Sequence, residues 1–382
     1  MSSAGWSKVS VRTGKELYAS ARIHDDGVFE SMGGGKTSIS VGMPGSGKST
    51  LLTQFAETSL YMKHGSKRKV CQQIATAEEG DIIDYSGCTL ETIVWRIREF
   101  DSWPVFCNWK LQLEKKGLFN TKYKRLHLFI HEDDDLIFYC VNRDHKLMPV
   151  DNMPVIERYS TVSDLIGKIH QNQINAICEP QSYTLSENLQ QILMEKNLEG
   201  VKKPGKSSEV VKYDELECKP AIWWFDFLFS FQTMNRMQFV TIIIDEWDDV
   251  SPARNSGPVW HLTDLLADQF VDFRRNNISC HFSVHACDFV DWRILRRANY
   301  FLWYAGGVPS KACSRSKYRS LTTMQPIGNF IIEDKEIKFG RMNFDKLPIP
   351  MPVARIEGLK NRIPFLDKKQ RKFFGSYMKE QS

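Results

Sequence analysis

Ile39-Ser40-Val41-Gly42-Met43-Pro44-Gly45-Ser46-Gly47-Lys48-Ser49-Thr50 runs from a short apolar strand into the start of a helix. Gly42 to Ser49 satisfies GxxxxGK[ST] at every required position. Glycine lets backbone N–H groups converge on an anion with no Cβ in the way. Lys48 brings a mobile positive charge to the β- and γ-phosphates of a nucleotide, and Ser49 offers a hydroxyl to Mg²⁺. The helix that follows, expected over Ser49 to Tyr61 from Leu51, Leu52, Phe55 and Leu60, points its positive dipole end at the anion. The stretch therefore predicts a phosphate-binding loop built from Gly42, Met43, Pro44, Gly45, Ser46, Gly47, Lys48, Ser49 and Thr50, with ATP and Mg²⁺ as ligands. Gly35-Lys36-Thr37 ends in the same way, but Glu30 stands where the first glycine is needed, so it reads as a turn.

Phe239 to Ile244 is a run of β-branched and aromatic residues, as a buried parallel strand should be, and it ends in Asp245-Glu246. A strand-end Asp holds Mg²⁺, directly or through water, and an adjacent Glu can act as general base on the attacking water. Asp245 takes the metal role with Ser49, and Glu246 takes the base role. Asp248 and Asp249 make an ordinary acidic loop the competing reading.

Asp245 stands 197 residues after Lys48. Two βαβ units need only ~30 residues each, so an insertion must lie between the motifs. The expected organisation is 1–63 for N-terminal strands, phosphate loop and first helix; 64–170 for an insertion lobe; 171–310 for the rest of the core; and 311–382 for a C-terminal hairpin and basic tail. Val9 to Glu30 reads as a strand or hairpin. Leu126–Ile130 and Leu136–Val141 flank the acidic turn 132–135 and read as a β-hairpin. Gln173–Cys178 and Glu91–Arg96 compete for the second strand of the sheet. Ser186–Leu198 and His261–Phe273 read as helices, 199–208 as a loop, and Ile278–Val284 and Tyr300–Tyr304 as strands. Phe330 to Phe339 reads as a hairpin, and a basic tail starts at Lys368–Lys372. Strands alternating with helices predict an α/β fold: a three-layer P-loop NTPase core with a central, mainly parallel sheet.

The whole chain has 382 residues, 42% of them hydrophobic, and a formal charge of +5. Those are globular values, and the mild charge permits a polyanionic partner without demanding one. Nine scattered Cys with no CxxC pair, and no Cys/His spacing that suits zinc, point to free thiols in a reducing compartment. The longest apolar stretch, Ala221 to Phe231, is interrupted by Asp226 and Ser230 and is far short of the ~20 residues that span a bilayer. The expectation is a protein with no membrane span, in the cytoplasm or associated with a virus in an infected cell.

Beyond Glu246 the sequence resembles the FtsK–HerA branch of P-loop ATPases, which contains DNA translocases, conjugation ATPases and viral genome-packaging motors. The helix after the acidic strand ends at Phe273-Arg274-Arg275, and the next strand, Ile278 to Val284, is followed by His285. The resemblance implies that Arg274 is the arginine acting on a neighbouring subunit, with Arg275 one residue off, and that His285 is the sensor, where the family usually has Gln or Asn. It covers roughly Ser38 to Ser59 and Gln238 to Tyr304, with a basic helix at Asp291–Arg297. It implies a homo-oligomeric ring that hydrolyses ATP to move double-stranded DNA, with a capsid or other packaging partner. A nucleotide or small-molecule kinase and a slow NTP-binding switch are the alternatives. Glu246 speaks against the first, and the lack of an N/T-K-x-D motif tilts the base from GTP to ATP.

Overall fold

A computed structural model describes residues 35–49, 52, 63–64, 89–90, 92–98, 126–141, 147–148, 154–171, 173–181, 183, 185–195, 200–202, 210–212, 220–235, 237, 239–253, 258–309, 323–324, 326–327, 329–334, 339–343 and 353–358. The expected N-terminal hairpin, Thr50, most of the helix after the loop and the tail at Lys368 lie outside them. The longer strands are β1 (Thr37–Val41), β2 (Thr92–Ile97), β3 (Leu126–His131), β4 (Leu136–Val141), β5 (Val155–Tyr159), β6 (Ile174–Cys178), β7 (Val240–Ile244), β8 (Ile278–Val284), β9 (Tyr300–Tyr304), β10 (Asn329–Asp334), β11 (Phe339–Asn343) and β12 (Val353–Gly358). The helices are α1 (Val162–Lys168), α2 (Glu187–Glu195), α3 (Pro220–Met234), α4 (Pro258–Arg275) and α5 (Trp292–Arg297). The chain folds as two compact units, one from 1–62 and 182–346, the other from 63–181 and 347–382.

In the first unit the strands run in the order β11-β10-β9-β1-β8-β7. β9, β1, β8 and β7 are parallel, β10 adds antiparallel to β9, and β11 adds antiparallel to β10. Every residue of β1, β7 and β8 is buried, which is why their sequences read as continuous apolar runs rather than alternations. Parallel strands need crossover connections, and α4 supplies one from β7 to its neighbour β8, while α5 lies in the crossover from β8 past β1 to β9. α4 begins at Pro258, three residues before the expected start, because proline suits a first helical turn whose N–H has no partner. Its Leu262, Leu266, Phe270 and Phe273 are buried at helical spacing.

α3 is apolar all round and is buried from Ala221 to Phe231. Its one carboxylate, Asp226, accepts from the Tyr183 hydroxyl at 2.5 Å, the Ser186 amide at 3.0 Å, the Ser230 hydroxyl at 3.3 Å and the Ser186 hydroxyl. A buried charge is tolerated on those terms. No helix among the described residues is long and apolar enough to cross a membrane. Gly200–Lys202, inside the segment 199–208 expected as a loop, pairs antiparallel with Val210–Lys212 beyond it.

In the second unit β2, β6, β3 and β5 form a parallel array in that order. Both candidates for the second strand are thus strands, hydrogen-bonded to each other from Ile93↔Ile174 to Ile97↔Cys178. The expected hairpin at 126–141 is not one: β3 pairs with β6 and β5, whereas β4 pairs antiparallel with β12 and Leu147–Met148. The acidic turn is an elbow between two sheets. Asp134 is buried and its carboxylate accepts from the Gln181 amide at 3.3 Å, while Arg158 donates to the carbonyls of His131 and Asp134. Those contacts hold the elbow open, and strand propensity alone could not register them.

β1 and β8 are also tied through side chains, with Ser38 Oγ 2.7 Å from His281 Nδ1 and both residues buried. Burial pushes the His281 imidazole down to about 3, so it is neutral in the folded protein. The unfolded chain takes up a proton below about 6.5 and the folded chain does not until about 3. His281 therefore removes stability as pH falls through that window, by up to about 1.4 kcal/mol per pH unit. Urea unfolding at pH 7 and pH 5 should show a smaller loss for His281→Gln than for the wild type. An equal loss in both would place the acid sensitivity elsewhere.

Candidate nucleotide site

Because β1, β7, β8 and β9 are parallel, the segments that follow them all emerge at one edge of the sheet, where α/β folds bind ligands. The loop at 42–49 leaves β1, Asp245 and Glu246 leave β7, His285 leaves β8, and Ala305 to Gly307 leaves β9. Neighbouring strands fix the loop's root: the Gly42 amide donates to Val284 O at 3.3 Å and the Met43 amide to Ala305 O at 2.9 Å. A Cβ on Gly42 would lie 2.6 Å from Tyr304 Cβ and 2.9 Å from Ser46 Oγ. Gly45 and Gly47 take φ of +75° and +104°, so glycine is needed there for backbone shape. Helical backbone begins at Lys48 and Ser49. The rejected Gly35-Lys36-Thr37 is a turn leading into β1, with Gly35 at φ +81°.

Asp245 is held by Ser283 of β8, whose hydroxyl donates to Asp245 Oδ1. The Glu246 amide donates to Ser283 Oγ at 3.1 Å and to Asp245 Oδ1 at 3.2 Å. Those bonds turn the chain sharply, and Glu246 sits in the left-handed region at φ 52°, ψ 61°. For a residue with a side chain such as Glu this conformation costs of order 1–3 kcal/mol. His285 Nε2 lies 3.5 Å from Glu246 Oε1. Asp248 sits in the same group, its carboxyl pushed up by burial while the nearby His285 pulls the other way.

Burial lowers the Lys48 ammonium from its usual range, and Asp245, Glu246 and Asp248 oppose that shift. The ammonium donates to Gly42 O at 2.6 Å and to Met43 O at 3.1 Å. Around it Ser46 Oγ, Asp248 Oδ1 and His285 Nδ1 are buried with no hydrogen-bond partner among the described residues. Buried polar atoms are nearly always paired, so three orphans grouped with a lysine and two half-buried carboxylates mark a place that expects a polar ligand. A glycine-lined anion cradle, one lysine, and hard oxygens from Ser49 and Asp245 fit a nucleotide phosphate with Mg²⁺.

Arg274 is elsewhere. It is exposed at the C-terminal end of α4, and its backbone lies against Gly35, where a Cβ would come within 2.5 Å of Arg274 O. Gly35 precedes β1 and the loop follows it, seven residues on, or about 23 Å of extended chain. Arg275 is exposed and paired with Asp272 at 3.0 Å. In α5, Arg293 is not a free basic group: it pairs with Asp291 at 2.8 Å and Asp264 at 3.2 Å and lies over Trp260. Sequence reading missed Ser283 and the Ala305–Gly307 turn, and took Asp248 only as part of an ordinary acidic loop. The signals were a serine next to the end of an apolar strand and the Gly306-Gly307 pair. Gly306 takes φ +74° against Met43, and a Cβ on Gly307 would meet Val41 O at 2.6 Å.

Strand order, loop and acidic strand end together place the first unit among α/β P-loop nucleotide-binding folds. No protein-family model matches the sequence, and no curated protein matches it. Among solved structures, the chain is similar to the genome packaging NTPase B204 of Sulfolobus turreted icosahedral virus 2 in complex with sulfate, at 8% identity and TM-score 0.38, over 81% of this chain and 96% of that one. The same protein in complex with ATP-gammaS gives 10% identity and TM-score 0.35, over 80% and 95%. VirB4 of Thermoanaerobacter pseudethanolicus gives 10% identity and TM-score 0.38, over 82% and 90%. The genome-packaging NTPase is of the kind the sequence resemblance names.

The strain at Glu246 has a measurable consequence. Glu246→Gly relieves the left-handed backbone and should keep or raise the unfolding free energy, by up to about 1 kcal/mol. A clear loss of stability in denaturant titration would show that the Glu side chain, not the backbone turn, holds this end of β7.

Proposed function

We propose that the chain is an Mg²⁺-dependent ATP hydrolase of the FtsK–HerA type that works as a ring and moves double-stranded DNA, packaging a viral or plasmid genome with a capsid or similar partner. The observation that carries the reading is the group of orphaned polar atoms about Lys48, Asp245 and Glu246 at one sheet edge. Loop N–H groups and Lys48 bind the β- and γ-phosphates, with Lys48 exchanging its bonds to Gly42 O and Met43 O for phosphate oxygens. Ser49 and Asp245 hold Mg²⁺, which when bound neutralises phosphate charge. Glu246 accepts the proton of the attacking water, and its backbone turn aims it there. His285, beside Glu246, donates a hydrogen bond that holds the carboxylate or the γ-phosphate. Such a protein works in the cytoplasm or at the virus particle.

Arg274 supports the ring. It is exposed and at the opposite end of β1 from Lys48 of the same chain, which agrees with a role on a neighbouring subunit's nucleotide rather than its own.

Two experiments test the reading. Glu246→Gln keeps its shape but cannot take a proton, so it should bind Mg²⁺-ATP normally and hydrolyse it ~10²–10⁴-fold more slowly. Normal turnover in this variant, with loss in Asp248→Asn, would move the base to Asp248. Arg274→Ala should fold, bind ATP and hydrolyse it poorly, since an arginine supplied in trans is worth ~10³–10⁵ in rate. Mixing it with Lys48→Ala protein should restore part of the ATPase activity, because the mixed ring sets an intact Lys48 against an intact Arg274. No rescue at any ratio, from Arg274→Ala or from the Arg274→Ala, Arg275→Ala double variant, together with a monomer by light scattering in ATP and DNA, would remove the ring model and leave a kinase or switch.

A further inference from the structure

The second unit contains a cluster that the nucleotide chemistry does not use. His127 on β3, Glu157 on β5 and His170 after α1 converge so that one ligand atom from each lies within 4.8 Å of the others. His127 Nδ1 is 2.6 Å and His170 Nε2 is 2.7 Å from the same oxygen, Glu157 Oε1. We propose that these three side chains form a binding site for a divalent transition-metal ion of the zinc class, with water completing the coordination.

Two imidazoles and a carboxylate are a ligand set that zinc takes with an open fourth position. Each ligand is placed by structure that is itself fixed. β3 and β5 pair parallel with His127 opposite Val155, so Glu157, two residues on, lies on the same face as a diagonal neighbour. His170 is clamped through its backbone by the fully buried Asn175 of β6. Asn175 Oδ1 accepts the His170 amide at 2.8 Å, and Asn175 Nδ2 donates to His170 O at 3.0 Å and to Ile93 O at 3.1 Å. Access is graded: the His127 side chain is 7% exposed, Glu157 23% and His170 41%. An ion can therefore enter from the His170 side while His127 anchors the site from within.

The donor spacing sets what must move. Metal bonds near 2.0–2.1 Å put tetrahedral neighbours about 3.3 Å apart, so the two nitrogens must each withdraw from Glu157 by about 0.6–0.7 Å. The rings are stacked 3.7 Å apart at 18°, and a nitrogen binds a metal in the plane of its ring. One ring must therefore tilt, and the half-exposed His170 is free to do so on its clamped backbone. In exchange, two hydrogen bonds to one oxygen give way to three metal bonds. The ligands come from three elements 13 or more positions apart, which is why no short sequence spacing announces them.

The test uses the full chain, reduced and stripped with chelator, titrated with Co²⁺ followed by absorption and with Zn²⁺ followed by calorimetry. The wild type should bind one ion at this site, giving visible cobalt bands without thiolate charge transfer and raising Tm with Zn²⁺. Glu157→Gln and His170→Ala should each bind at least about a hundredfold more weakly and lose the Tm increase, since loss of even an outer-shell partner costs 10–100-fold. His170 is substituted rather than the buried His127 so that the fold survives, which circular dichroism checks. A wild type that binds no ion, or binds it as both variants do, would overturn the site and leave a hydrogen-bonded His–Glu–His network that ties β3 to β5. Asp245→Asn protein, which lacks the carboxylate assigned to Mg²⁺, serves as the reference for ions held by the nucleotide site, and its cobalt spectrum should match the wild type.

Discussion

β1 is hydrogen-bonded in parallel on both sides, to β8 from Thr37↔Cys280 to Val41↔Val284 and to β9 from Ser38↔Tyr300 to Val41↔Trp303. That double pairing fixes the rest of the first unit. A slip of one residue would turn every side chain of β1 to the other face. It would also break contacts at both ends of the strand, where the backbone approaches too closely for a Cβ. Gly35 lies against Arg274 at one end, and Gly42 and Gly307 lie against Tyr304 and Val41 at the other. The loop therefore leaves the sheet at one height only, at the same edge as the turn that carries Asp245 and Glu246.

Buried polar groups divide the molecule into parts that are finished and parts that are waiting. Asp226 has its donors from Tyr183, Ser186 and Ser230, Arg293 has Asp291 and Asp264, and Glu333 accepts from Trp303 Nε1 at 2.8 Å. Such satisfied networks specify packing. At the strand ends the pattern reverses, with Ser46, Asp248 and His285 each leaving a buried atom unpaired and Glu246 held in a strained backbone. Such departures also occur elsewhere, at Gln232 and Gln269 in α3 and α4 and in the left-handed backbone of Phe239 and Asn277, but among the described residues only at these strand ends do they stand beside a lysine and two carboxylates.

Sequence alone determined the elements whose chemistry is local. Gly42 to Ser49 was legible as a turn from a strand into a helix, since glycines at 42, 45 and 47 suit a tight loop, and the structure shows that path with Gly45 and Gly47 at positive φ. The runs before Gly42 and Asp245 and at Ile278 to Val284 had to be buried strands, since nothing else hides so many β-branched and aromatic residues in so few positions. Both strand candidates at 92–97 and 174–178 were legible for the same reason.

Only the tertiary structure decided what depends on pairing between distant segments. That Leu126–His131 and Leu136–Val141 part into different sheets follows from Asp134 and Arg158, whose partners lie 24 to 47 residues away. That Ser283 holds Asp245, and that His285 stands beside Glu246, follows from the register of β8 against β7. The position of Arg274 remote from Lys48 is set by the direction of α4 across the sheet. A sequence states which groups a segment carries and how they alternate. Which groups meet is settled by close packing and hydrogen bonding summed over the whole fold, and no window of sequence contains that sum.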